Sequence, residues 1–170
     1  MGIRRKYRRR GTTMSESDKY GTPPDIIRRV KQVFGTIDLD PCGYGDYLID
    51  PETETVILPR DGLAVDWTQR TYCNPPFSNA KPWLVKASLE WRTRRCTNIV
   101  LTRSAMNCVY FHEYGLNSWT AMAIPKRRVS FLKDGVIQKG NMYDVVIGYH
   151  GLDVAAFMQA FDTLGKVIEL

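Results

Sequence analysis

Thr71-Tyr72-Cys73-Asn74-Pro75-Pro76-Phe77 decides the reading of this 170-residue chain. Its first three residues are β-branched, aromatic and apolar, the composition of a short strand. Neither proline has an N–H for a sheet ladder, so the strand stops at Asn74. The two prolines also fix two successive φ angles and set the directions of the carbonyls in the turn. Phe77, a large aromatic, follows where the chain leaves the sheet edge. Taken by itself, Asn-Pro-Pro fits a plain proline-rich loop equally well. The segments around it, and their order, favour a functional turn.

Upstream, Thr22-Pro23-Pro24-Asp25 has the form of a helix start: a hydroxyl at the cap, proline in the first turn and an acid near the positive end. Ile26, Ile27, Val30, Val33 and Phe34 recur at helical spacing, and Gly35 ends the run. Residues 36–40 alternate as a strand should, Pro41 terminates them, and a glycine-containing loop follows over 40–46. In doubly wound sheets ligands bind just outside the carboxyl ends of strands, where this loop falls. A carboxylate there can pair with an ammonium group, while glycines let backbone approach closely. Asp40 is favoured for that place, because Asp38 can face the other side of the strand. The plain alternative is an Asx-type turn. Asp61-Gly62, thirteen residues before Asn74, has the composition of a turn. Trp67 reads as core or pocket wall.

Downstream, Ser78 or Asn79 can cap a helix with Pro82 in its first turn, running to Trp91. Residues 97–102 form a β-rich apolar run fit for a buried strand. A helix is expected from Ser104 to near Gly115, and a strand over 119–124. Residues 129–132 and 143–149 read as a hairpin around Lys133-Asp134-Gly135. A helix over 154–164 and a short strand over 167–169 complete the pattern. Residues 54–58 add a possible strand in the otherwise poorly patterned stretch 47–60. The whole predicts an α/β fold: an open, mostly parallel, Rossmann-like sheet of about seven strands. Helices are expected on both faces, with a C-terminal antiparallel hairpin.

Length and composition suit one domain over 20–170, with 44% apolar residues. No run of eighteen apolar residues occurs, so no membrane span is expected, and the basic N-terminus is not read as a secretory signal. Four cysteines without close spacing and two histidines do not make a structural zinc site. Free thiols in a reducing cytoplasm are the expectation. Arg4, Arg5, Lys6, Arg8, Arg9 and Arg10 stand among the first ten residues with no acid. The remainder of the chain has 18 basic and 18 acidic residues, so the whole net charge of +6 sits in that block. Residues 1–19 therefore read as a mobile arm, either merely solvated or an electrostatic arm for phosphates. Arg92, Arg94, Arg95 and Lys126, Arg127, Arg128 are two further basic clusters.

Asn74-Pro75-Pro76-Phe77 resembles the Asn/Asp-Pro-Pro-Tyr/Phe tetrapeptide of S-adenosylmethionine-dependent amino-methyltransferases. Residues 20–149 resemble the small phage-type, Dam-like DNA adenine methyltransferases. The resemblance also rests on Thr22-Pro23-Pro24, Asp38-Leu39-Asp40-Pro41-Cys42, Asp61-Gly62-Leu63 with Asp66-Trp67, and Pro82-Trp83-Leu84-Val85-Lys86-Ala87. It implies S-adenosylmethionine as cofactor, double-stranded DNA as partner and the cytoplasm of a bacterial cell, a phage-infected host included. It assigns catalysis to Asn74, Pro75, Pro76 and Phe77, and cofactor binding to Thr22, Pro23, Asp40, Pro41, Cys42 and Asp61. An acid bridging the ribose hydroxyls belongs near Asp50, Glu52 and Glu54, which the sequence does not separate.

The chemistry suits the resemblance. Adenine's exocyclic amine is a poor nucleophile, because its lone pair is delocalised into the ring. The Asn74 side-chain oxygen and the Pro75 carbonyl would accept its two hydrogens and localise that lone pair. Phe77 would stack on a flipped base, an interaction worth about 1–3 kcal/mol and comparable to the cost of unstacking. Only 28 residues separate Gly45 from Asn74, leaving no room for a separate target-recognition domain. Base readout would then come from residues 79–82, 103–110 and 125–141 and from the arm. An RNA or protein-amide methyltransferase, or a DNA-binding relative without turnover, are the competing readings.

Overall fold

The computed structural model describes residues 20–43, 59, 61–133, 135–139 and 142–170. The predicted arm with its six cations, Gly45, the strand expected over 54–58 and the acids Asp50, Glu52 and Glu54 all lie outside these residues. No helix among the described residues is long and apolar enough to cross a membrane.

Helix α1 (Pro24–Phe34) buries Ile26, Ile27 and Val30, the stripe its periodicity predicts, and Gly35 closes it at φ 78°. Its N-cap position is Pro23, with no side-chain cap, so Thr22 does not cap the helix as expected. Residues 36–40 run alongside strand β1 (Thr71–Cys73) but form only an isolated parallel bridge, Leu39 to Thr71. Asp38 N–H donates to the Arg70 carbonyl and Tyr72 N–H to the Leu39 carbonyl, both at 2.9 Å.

After β1 a single 3-10 turn (Phe77–Asn79) leads into helix α2 (Lys81–Arg94). Its N-cap is Ala80, not Ser78 or Asn79, because the 3-10 turn takes up those residues. Strand β2 (Asn98–Arg103) returns parallel to β1, with Thr71 opposite Asn98 and Cys73 opposite Val100. The helix expected from Ser104 contracts to one turn, α3 (Val109–Phe111), continued by a π-helical turn over His112–Leu116. Strand β3 (Ala121–Pro125), the short pair β4 (Leu132–Lys133) and β5 (Val136–Ile137), strand β6 (Val145–His150), helix α4 (Val154–Phe161) and strand β7 (Gly165–Glu169) follow.

The fold is mixed α/β. Among the described residues its main sheet has five strands in the order β1-β2-β6-β3-β7, and β4-β5 forms a separate two-stranded ribbon. Among the described residues, parallel pairing within the main sheet is confined to β1–β2, so these strands do not form the mostly parallel seven-strand sheet expected. The expected hairpin between 129–132 and 143–149 is also absent. The turn near Gly135 joins β4 to the two-residue β5, while β6 lies antiparallel between β2 and β3. Burial explains this placement. Every residue of β6 is buried, so the strand needs a neighbour on each side and cover on both faces.

Side-chain alternation divides the core in two. Tyr72, Ile99, Leu101, Ile147 and Tyr149 pack with α1 and α4 on one face. Cys73, Val100, Met122 and Val146 pack with Leu84 and Ala87 of α2, Phe111 and Trp119 on the other. Helices therefore cover both faces, as the sequence predicts. Each large aliphatic or aromatic side chain buried this way contributes roughly 1.5–3 kcal/mol of transfer free energy.

Candidate active site

The corner at the carboxyl end of β1 gathers most of the residues singled out in the sequence. Cys73 is buried, and Asn74, half-buried, is the first residue past the strand. Its Nδ2 donates to the Tyr20 carbonyl and to Thr22 Oγ1, each at 3.2 Å. A backbone carbonyl only accepts, which fixes which end of the amide faces Tyr20 and leaves Oδ1 with its acceptor capacity. Thr22 is 2% exposed, and its hydroxyl also meets the Tyr72 phenol at 2.8 Å. Thr22 and Pro23 thus sit where α1 begins and touch the corner through the Thr22 side chain.

Segment 20–22 is itself held in place. Gly21 exchanges two backbone hydrogen bonds of 2.8 Å with Leu132 of the β4–β5 ribbon. That pairing brings Phe131 beside Tyr20, with ring centroids 6.5 Å apart. Phe131 also meets Phe77 edge-on at 5.5 Å, and Tyr143 meets Phe77 edge-on at 5.8 Å. Phe77 is half-buried and framed by aromatic rings from two distant loops. Pro75 is buried and Pro76 half-buried; the Pro76 carbonyl accepts from Asn79 N–H at 3.0 Å, tying the turn to the start of the 3-10 segment.

Asp40 and Asp38 part ways. Arg70 holds Asp38 at the surface through Nε and Nη2, at 2.9 and 2.8 Å. Asp40 is 2% exposed and has no cationic partner among the described residues. Burial pushes its carboxyl up to about 7, against the opposing pull of the Cys42 and Gly43 backbone N–H groups. Cys42 N–H donates to Asp40 Oδ1 at 3.1 Å, and the Cys42 and Cys73 sulfurs stand 3.3 Å apart. The loop carrying Asp40, Pro41 and Cys42 therefore abuts the strand that delivers Asn74. Burial raises the Tyr72 phenol and both thiols, and the Asp40 charge adds to each.

Gly62 completes this side. A Cβ there would overlap the Pro41 carbonyl oxygen, so only glycine lets the 61–64 turn close on the Asp40–Pro41 loop. Asp61 itself stays exposed, its carboxylate accepting from Leu63 N–H at 3.1 Å, and does not touch Asp40 or Asn74. Trp67 is core, 3% exposed with its indole N–H on the Gly62 carbonyl at 2.9 Å. Among the described residues no group of three His, Cys, Asp or Glu side chains is placed to hold a metal ion.

Sequence reasoning missed Tyr20, Tyr72, Phe131 and Tyr143. Tyr72 had a signal, because β alternation puts it on the face opposite Thr71 and Cys73. The other three depend on chain crossings that no local pattern encodes.

A family model described as DNA N-6-adenine-methyltransferase (Dam) matches residues 10–147. No curated protein and no solved structure matches the chain. The matched span contains Thr22, Asp40, Asn74 and Phe77 together with most of the sheet that joins them, and the chain belongs to the Dam family of DNA N-6-adenine-methyltransferases.

Proposed function

We propose that this chain methylates the N6 amine of adenine in double-stranded DNA, with S-adenosylmethionine as donor and the base turned out of the duplex into the corner after β1. The observation that carries this reading is the double anchorage of the Asn74 amide nitrogen on Tyr20 and Thr22. With that end engaged, Oδ1 and the Pro75 carbonyl are the acceptors for the two hydrogens of the amine. Such acceptors favour the pyramidal nitrogen of the transition state over the planar ground state. Pro75 and Pro76 keep the geometry rigid, so little ordering is left to do once the base arrives. Phe77, steadied by Phe131 and Tyr143, is the surface on which the purine stacks.

The chain's own donor set fits S-adenosylmethionine. The buried, cation-free Asp40 carboxylate is the environment an ammonium group would complete, and Pro41 and Cys42 shape the loop that holds it. Thr22 and Pro23 at the start of α1 would face the donor's carboxylate. Because the Thr22 hydroxyl already serves Tyr72 and Asn74, its share in that contact is smaller than the sequence suggests. Asp61, exposed on its turn, would accept from the donor's adenine amine. Bound there, the donor supplies a methyl on a cationic sulfonium, which ends as a neutral thioether while the amine sheds a proton to water.

Transfer of labelled methyl from S-adenosylmethionine to unmethylated duplex DNA tests the proposal. The wild-type chain should label adenine N6, and Asn74→Ala should abolish labelling while still binding the donor. Near-normal turnover in Asn74→Ala would refute the role of the corner. Label appearing only in RNA, or only in protein amides, would refute the substrate.

A further inference from the structure

At the carboxyl edge of the sheet a cleft of about 320 Å³ opens between the ends of β2 and β3 and the beginning of β6. Lys126 and Arg127 wall one side, Ser104 and Met106 the other, and Ile124 with Val145 and Val146 form an apolar floor. Lys126 and Arg127 are exposed and make no ion pair among the described residues. Asp144, the acid in the lining, lies 4.0 Å from Arg128, which offsets its charge. Its backbone carbonyl accepts from Ser104 N–H at 2.7 Å and ties the two walls together.

The cleft and the catalytic corner lie on the same, carboxyl side of the sheet. Tyr143, which touches Phe77, is the residue immediately before Asp144. β1 and β3 are three strand spacings apart in the sheet, roughly 14 Å. The other basic cluster lies elsewhere: α2 carries Arg92, Arg94 and Arg95 back to the amino end of β2, away from Asn74. Two clusters that look equivalent in sequence are thus on opposite ends of the sheet.

We propose that this cleft is the groove for the sugar–phosphate strand flanking the extruded adenine, with Lys126 and Arg127 taking phosphates and the apolar floor taking deoxyribose. The inference rests on the function proposed above. Charge complementarity selects a polyanion, and the link from Phe77 through Tyr143 to Asp144 in the cleft wall selects the strand that carries the target base. Both cations lie on a loop immediately after β3, so their contacts position the strand without reading its sequence.

Three full-length chains decide it: wild type, Lys126→Gln with Arg127→Gln, and a matched two-charge control, Arg92→Gln with Arg95→Gln. Binding of a fluorescent duplex is followed against salt, and methyl transfer is measured in parallel. The cleft variant should lower the slope of log K against log salt by about two, since each phosphate contact contributes about 0.9. Its KM for DNA should rise about tenfold, with kcat and donor binding unchanged. The control should keep the wild-type slope. If wild type methylates DNA but the cleft variant keeps its slope, or falls no further than the control, the cleft assignment is overturned while the function stands. If wild type transfers no methyl yet the slope still drops only in the cleft variant, the cleft stands and the proposed reaction fails. Tighter binding of the same sequence as RNA, through the same two cations, would overturn DNA as the occupant.

Discussion

Thr22 Oγ1 lies 3.2 Å from Asn74 Nδ2 and 2.8 Å from the Tyr72 phenol, so one buried hydroxyl joins α1's approach to both sides of β1's end. Together with the Tyr20 carbonyl, which only accepts, it holds the Asn74 amide in one orientation. A substitution at Thr22 should therefore act on geometry at the corner more than on bulk packing.

Thr22→Val keeps the shape and removes the hydroxyl. The Tyr72 phenol would be left buried without a partner, at a cost of about 1–3 kcal/mol in stability. The Asn74 amide would retain only the Tyr20 carbonyl, and kcat should fall about tenfold, the equivalent of about 1.4 kcal/mol in transition-state stabilisation. Thr22→Ser should restore both. Urea unfolding together with steady-state kinetics reads the two effects, and a variant that loses stability but keeps kcat would show that the hydroxyl only holds the fold.

Asp40 gives a pH signature. Its carboxyl is pushed up to about 7 by burial, above the ordinary carboxylate range, so folding favours the protonated form. Its stabilising contribution is complete below about pH 4 and is lost as pH rises through about 7. A cationic ligand needs the ionised form, so donor affinity should fall about tenfold per unit as pH drops below about 7 and level off above it. Asp40→Asn should bind weakly with this pH dependence removed. Calorimetric titration with S-adenosylmethionine on both proteins checks the prediction, and an equally steep profile in Asp40→Asn would assign the proton elsewhere.

Much of this arrangement is legible in the sequence. Pro75 and Pro76 announce the end of β1 because two successive residues without an N–H cannot donate to a ladder. The stripe of Ile26, Ile27 and Val30, and Gly35 after it, announce α1 for equally local reasons. What escaped was decided by long-range pairing. Residues 143–149 and 129–132 have strand composition on both sides of a turn, so a hairpin is the local expectation. Nothing local says that β6 must be buried on both faces between β2 and β3. The lock on Asn74 depends on Gly21 pairing with Leu132, 111 positions away, and on a carbonyl that every residue type possesses. The choice of Asp40 over Asp38 rested on side-chain direction, and the structure separates the two: Asp40 buried, Asp38 held outside by Arg70.

Gly62→Ala should damage the donor side without touching Asn74. The added methyl meets Pro41 backbone, which cannot swing away as a flexible side chain would. Overpacking of this kind costs about 1–3 kcal/mol, and here the cheapest relief is displacement of the Asp40–Pro41 loop. Donor affinity should drop by more than the loss in stability accounts for, while duplex binding through the cleft stays near wild type. Parallel measurement of donor binding, duplex binding and thermal unfolding distinguishes local displacement from general unfolding; equal losses in all three would favour the latter.

Far from the corner, His150 makes a prediction about acid stability. Its Nδ1 meets Asn98 Oδ1 and its Nε2 meets Ser118 Oγ, both at 2.9 Å, and Ser118 meets Ser88 of α2 at 2.8 Å. Serine, histidine and amide side chains aligned in this way resemble a nucleophile relay, but His150, Asn98 and Ser88 are fully buried at the end of β2 away from Asn74. They bind α2 to the sheet. Burial, reinforced by the Arg92 charge, lowers the imidazole from its ordinary value to about 3. The unfolded chain takes up a proton below about pH 6.5 and the folded chain does not, so this group's contribution is complete above that pH. It is lost as pH falls towards 3, at about 1.4 kcal/mol per pH unit. Between about pH 6.5 and pH 5, wild type should therefore lose about 2 kcal/mol more than His150→Gln, which is less stable at neutral pH but lacks the titration. Urea unfolding of both proteins at the two pH values isolates the difference. Identical losses would mean that the imidazole is already charged in the folded protein, which two hydrogen bonds to buried neutral partners and the nearby Arg92 charge argue against.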